Sequence, residues 1–174
     1  PLKVEKKEIE KINRYKKKEI ENYDDNKIKP NYDEFTFAPS YYGSGFIVGD
    51  GEFVITNYHV IESGKKIAVR NGTGQISEAN VYDYSIDYDL AILKLKQPYP
   101  KKFAISTKDF ADPLTGVEVI SIGYPGIGIT FEQPTITQGI ISKVFDDKMG
   151  IFLTTAAINS GNSGGPIFNL NGKL

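Results

Sequence analysis

Residues 157–168, "AINSGNSGGPIF", set Ser163 among Gly161, Gly164 and Gly165. A serine hydroxyl is a weak nucleophile until a neighbouring base takes its proton. That base must titrate near the working pH, which favours histidine. A carboxylate on the far side of the ring then fixes the tautomer and stabilises the imidazolium. Backbone N–H groups must also face the oxyanion that grows on an attacked carbonyl. Glycine ahead of the serine lets the chain turn so that those N–H groups converge, and glycines behind it admit a substrate closely. An ordinary surface turn uses the same letters, so the rest of the chain has to supply a base and an acid.

The chain holds a single histidine, His59, in "VITNYHVI". Any imidazole chemistry rests on it, and a His-ligated metal cluster is all but excluded. Its plain structural reading is a strand-end histidine satisfied by a local hydrogen bond. Asp89 stands in "DYDLAILKL", directly before the apolar run Leu90–Leu95. A solvent-facing aspartate at a strand start is the plain alternative there, and Asp83 and Asp87 compete for a carboxylate role on residue type alone.

Such groups need a rigid scaffold. From about Tyr41 the chain reads as short apolar runs: "YYGSGFIV", "EFVITNYHVI", "KKIAV", "DLAILKL", "VEVISIG", "PTITQGIIS", "GIFLTT" and "GPIF". Val, Ile, Phe and Thr dominate them, and turn residues separate them without intervening amphipathic helices. That texture predicts an all-β sandwich or barrel. "GDG" at 49–51 predicts a hairpin, and Asn171-Gly172 predicts another whose returning strand would be cut short two residues later. Residues 1–29 differ: ten Lys/Arg against seven Asp/Glu, a sparse stripe of Leu2, Ile9, Ile12 and Ile20, and no glycine. They read as a solvated helix ending by Pro30.

Composition narrows the classes further. At 174 residues, 40% apolar and 12% aromatic, the chain can bury a sizeable core. A net charge of −1 gives it no drive toward nucleic acid. The absence of cysteine excludes disulfides, thiolate nucleophiles and Cys-ligated metals. No apolar run approaches the ~20 residues that span a bilayer, and the start at Pro1 leaves a removed signal peptide open. "GYPGIGIT" lacks the Lys-Ser/Thr of a phosphate loop and reads as a hairpin loop.

The chain order His, Asp, Ser on a small all-β scaffold is the chymotrypsin order. With "GSGFIV", "VITNYHVI", "DYDLAILKL", "ISIGYP", "TQGIIS" and "TTAAINSGNSGGPIFN", the chain resembles the trypsin-like (chymotrypsin-fold) serine endopeptidases, above all the HtrA/DegP-type protease domain. The resemblance covers about residues 41–174. It implies an all-β protease domain over 31–174 behind a charged helical segment at 1–30, with perpendicular six-stranded β-barrels at about 41–100 and 115–174. The last strands of the second barrel would be missing. It makes His59 the base, Asp89 the acid and Ser163 the nucleophile of an acyl-enzyme mechanism, with the N–H groups of Gly161 and Ser163 as the oxyanion hole.

By the same resemblance Ala157, Ile158 and Asn159 line the base of the primary specificity pocket. No acidic side chain stands there, which argues against Lys or Arg recognition. One histidine also closes the second-histidine device of glutamyl endopeptidases. Asn162, neutral where digestive trypsins carry an aspartate, argues against activation by a new N-terminus. The implied partners are polypeptide substrates, without nucleic acid, cofactor or metal. Homo-oligomers, further C-terminal domains such as PDZ modules, and an envelope or secreted location are known in the family. Two alternatives stay open: a latent or inactive protease-fold domain used for peptide or protein binding, and an N-terminal helix that caps the cleft.

Overall fold

The computed structural model describes residues 41–72, 74–105, 110–125, 133–145 and 150–174, all within a compact unit spanning Tyr32–Leu174. The helix expected over 1–30 and residues 126–130 of "GYPGIGIT" lie outside the described residues. Those described are nearly all β, as expected.

Alternation in sequence decides which side each strand buries. In β2 (Phe53–Thr56) Val54 and Thr56 are buried, and in β5 (Leu90–Leu95) Ala91, Leu93 and Leu95 are. With β1 (Phe46–Val48), β3 (Ile67–Arg70) and β4 (Ile76–Ser85) they form an antiparallel sheet in the order β1-β2-β5-β4-β3. The "GDG" hairpin closes between Val48 and Phe53, which pair across it. β2 and β5 run side by side to the pair Thr56–Ala91. That register sets the residues leaving β2 beside those entering β5, and so brings His59 to Asp89.

Val54, Ile61, Ala79, Ala91, Leu93, Leu95 and Tyr99 make the core under this sheet. Tyr99 is the large polar-tipped member. Its hydroxyl lies 2.7 Å from the Val69 carbonyl and 3.1 Å from that of Gln75, one proton serving both. Burial pushes its phenol pKa up. A bulge between Val81 and Asp83 re-aims the end of β4, where Tyr84 stacks on Tyr58 at 5.1 Å. Tyr58 opens the one-turn helix α1 (Tyr58–Ile61), whose inner side packs on the core through Ile61.

The second sheet comprises β6 (Glu118–Gly123), β7 (Thr135–Val144), β8 (Phe152–Thr154) and β9 (Ile167–Asn169), in the order β8-β7-β6-β9. β6 buries Val119, Ser121 and Gly123, and β7 buries Ile141. The described residues thus supply five strands and four, where the resemblance implies six in each barrel. Among the described residues, the first sheet continues beyond β1 as a single bridge from Val48 to Ile105. The expected turn at Asn171-Gly172 forms: Gly172 has φ +74° and donates to the Asn169 carbonyl at 2.9 Å. The Asn169 side chain accepts the N–H groups of Asn171 and Lys173, both at 3.0 Å.

Candidate active site

Asn57, Tyr58 and His59 leave the end of β2, and Asp89 closes the turn that enters β5. Among the described residues Asp89 is the one non-glycine with positive φ, +49°. Its carbonyl anchors that conformation, accepting the Asn57 side-chain amide at 2.7 Å and the Tyr58 N–H at 3.2 Å. Asp89 tolerates the left-handed region better than a branched residue would. The carboxylate is thereby turned onto His59. One oxygen accepts the His59 backbone N–H at 2.9 Å, and the other lies 2.6 Å from Nδ1.

An ionised carboxylate only accepts, so Nδ1 is the donor here, and in the neutral ring that leaves the lone pair on Nε2. The fork fixes both the ring's tautomer and its direction. The pair is open to solvent, with the His59 and Asp89 side chains 51% and 44% exposed. Asp83 is occupied locally, accepting the Tyr84 N–H at 2.8 Å. Among the described residues, Asp89 is therefore the carboxylate that His59 meets.

The 157–166 loop hangs between β8 and β9. Gly161 and Gly164 have φ of +99° and +85°, in a region that L side chains rarely adopt. Neither has room for a Cβ: at Gly161 it would lie 2.5 Å from the Tyr124 carbonyl oxygen, and at Gly164 2.9 Å from the Asn57 nitrogen. The approach at Gly164 seats the loop against Thr56 and Asn57 at the end of β2, and the approach at Gly161 seats it against Tyr124 just after β6.

Three consecutive peptide groups in this loop are pinned. Between Gly161 and Asn162 the carbonyl accepts from the Ser44 hydroxyl (2.6 Å) while the N–H donates to Asn159 (3.0 Å). Between Asn162 and Ser163 the carbonyl accepts from Gly165 N–H at 2.8 Å. Between Ser163 and Gly164 the carbonyl accepts from Ser44 N–H at 2.7 Å. Among the described residues, the N–H groups of Gly161 and Ser163 have no acceptor within the chain.

The structure thus brings His59 to Asp89 and the Ser163 loop to the base of the His59 turn. It forms no hydrogen bond between Ser163 and His59 among the described residues. Ala157, Ile158 and Asn159 are exposed on the stretch leading into the loop, where the Ala157 carbonyl accepts from the Thr137 hydroxyl at 3.0 Å. Asn162 is buried, and its Oδ1 has no partner among the described residues.

Residues 43–174 match the family model of the trypsin-like peptidase domain. The chain belongs to that family. Within it, the chain is 37% identical over 139 residues to a Chlamydia trachomatis protein described as a probable periplasmic serine endoprotease, DegP-like, covering 76% of this chain and 27% of that one. It is 38% identical over 135 residues to the serine protease Do-like HtrB of Bacillus subtilis, covering 72% and 29%. The solved serine endoprotease from Yersinia pestis superposes with a TM-score of 0.66 at 35% identity, over 79% of this chain and 48% of that one. This trypsin-like domain therefore spans between a quarter and a third of the length of these two curated relatives.

Two residues with roles in this geometry carry no catalytic signature in sequence. Asn57 holds the Asp89 backbone. Ser44, in "GSGFIV", reaches the loop across 117 residues of chain. The only sequence signal for either is its place inside a motif.

Proposed function

We propose that this trypsin-like domain is a serine endopeptidase acting through an acyl-enzyme. Ser163 Oγ attacks the peptide carbonyl while His59 Nε2 takes its proton, and Asp89 holds the imidazolium that results. The oxyanion is received by the N–H groups of Gly161 and Ser163. Collapse expels the amine with the proton from His59. Water, deprotonated by His59, then attacks the ester, and His59 returns that proton to Ser163 Oγ as the acid leaves. The contact from Ser163 to His59 closes when substrate seats, as catalytic hydrogen bonds often do.

The observation that carries this reading is the fork of the Asp89 carboxylate onto both the His59 N–H and Nδ1. It supports Nε2 as the base, beside a loop whose Gly161 and Ser163 N–H groups have no acceptor among the described residues. The names of the relatives, serine endoproteases, agree with it. The substrates are polypeptides. Ala157, Ile158 and Asn159 bring no charge to the specificity pocket, which suits a small or medium apolar side chain at the cut. The relatives' periplasmic naming supports a location in the cell envelope or outside it.

The test is hydrolysis of fluorescein-casein by the protein expressed from its full open reading frame, beside Ser163→Ala. Cleavage should drop to background in the variant, by at least ~10³-fold. Equal cleavage by the two proteins would remove Ser163 as nucleophile.

A further inference from the structure

Ser44 lies just before β1 and is 6% exposed, yet its contacts run to the loop of Ser163. Its N–H donates to the Ser163 carbonyl at 2.7 Å, and its hydroxyl donates to the Gly161 carbonyl at 2.6 Å. The same hydroxyl accepts the Tyr124 N–H at 2.9 Å, so Oγ is engaged as donor and acceptor. Ser44 is itself held, since its carbonyl accepts the Thr56 hydroxyl at 2.6 Å. Thr56 is the last residue of β2, followed at once by Asn57, Tyr58 and His59. A chain of hydrogen bonds therefore runs from the strand that carries the base to the loop that carries the nucleophile.

We infer that Ser44, braced by Thr56, is a positioning residue that sets the Gly161 and Ser163 N–H groups for the oxyanion. This rests on the endopeptidase reading above. The reason lies in the loop's own freedom. Glycine at positive φ has little steric resistance to rotation of the peptide that follows it, and here that is the 161–162 peptide. A peptide group is planar, so holding the Gly161 carbonyl fixes the 161–162 plane with its Asn162 N–H, and through that plane it constrains the two flanking peptides, which carry the Gly161 and Ser163 N–H groups. The Ser44 hydroxyl holds the Gly161 carbonyl, while its backbone N–H holds the carbonyl just after Ser163. Between these two grips the Ser163 N–H has no acceptor among the described residues. Removing the hydroxyl would leave the buried Gly161 carbonyl and the partly buried Tyr124 N–H unpaired, a costly state. Rotation of the peptide relieves it, and that rotation misdirects the neighbouring N–H groups.

The experiment compares Ser44→Ala, Thr56→Val and Thr56→Ser with wild type in the full open reading frame. Two quantities are read: the second-order rate of fluorophosphonate labelling, and kcat and KM on a fluorogenic peptide taken from a casein cleavage site. Removing one direct oxyanion donor costs about 10²–10³-fold, so a residue one step behind it should cost about 10–100-fold. That loss should fall on kcat and on labelling in both Ser44→Ala and Thr56→Val, with KM within about twofold. Thr56→Ser keeps the hydroxyl and should return to within about threefold of wild type.

If Ser44→Ala does not fold, the Thr56 pair decides. Wild-type labelling rates in Ser44→Ala and Thr56→Val would overturn the inference while leaving Ser163 in place. So would a Thr56→Ser as slow as Thr56→Val, because packing rather than the hydroxyl would then be at work. Labelling that survives in Ser163→Ala, or a silent wild type, overturns the endopeptidase reading itself, and the role of Ser44 with it.

Discussion

The His59–Asp89 pair hangs on side chains, with both members about half exposed; the 161–165 loop hangs on peptide groups, gripped from a buried serine. The first arrangement rests on one carboxylate that meets the His59 backbone N–H and Nδ1 together. The second is held at three consecutive carbonyls, and Gly161 and Gly164 sit where a single extra carbon would collide with backbone. An acid–base pair needs a ring free to swing slightly as protons move. An oxyanion site needs donors that do not reorganise when charge appears. On the proposed roles, the solvent-open side-chain pair suits the first task and the loop gripped at its carbonyls suits the second.

Substitutions can break that contrast at either end. Asp89→Asn keeps the size of the side chain but offers the ring an amide, which favours the wrong tautomer. It should lower kcat by ~10⁴-fold with the fold intact, measured by steady-state peptide hydrolysis and thermal melting. Gly164→Ala strikes the gripped loop. A Cβ there meets the Ser44 carbonyl and the Thr56 hydroxyl at a φ of +85°. It should lower kcat by ~100-fold through misplacement of Ser163, and also lower the melting temperature, as overpacking does. A full-rate Gly164→Ala would show the loop to be softer than its contacts indicate.

Tyr99→Phe serves as the contrast from outside both regions. It strips a buried hydroxyl from two carbonyls of the first sheet, so it should cost about 1–2 kcal/mol of stability and change kcat little. Denaturant unfolding at pH 7 measures the loss. Because burial raises the Tyr99 pKa above its unfolded value, the wild-type contribution is complete below pH ~10 and declines as pH rises beyond it. The gap between wild type and Tyr99→Phe should therefore narrow in alkali.

How far the sequence could be read follows the same division. The loop was legible because its demands are on the backbone: only glycine fits at positions 161 and 164, and glycine is visible as a letter. His59 was legible because there is no other histidine. The choice of Asp89 over Asp83 and Asp87 was not contained in residue type. It depends on the β2–β5 register and on a left-handed turn anchored by Asn57. Ser44 and Tyr99 escaped as contributors because their partners lie far along the chain: Ser44 binds across 117 and 80 residues, and Tyr99 across 30 and 24. No local pattern encodes such pairs. The all-β texture and both predicted turns, by contrast, are local, and the structure carries them.

The central claim is that His59, aimed by Asp89, activates Ser163. Fluorophosphonate labelling of the protein from its full open reading frame, with the modified residue located by peptide mass spectrometry, tests it most directly. The account predicts a single adduct on Ser163 that disappears in His59→Ala while the protein stays folded. An adduct on another residue, or one on Ser163 that forms equally fast without His59, would contradict it.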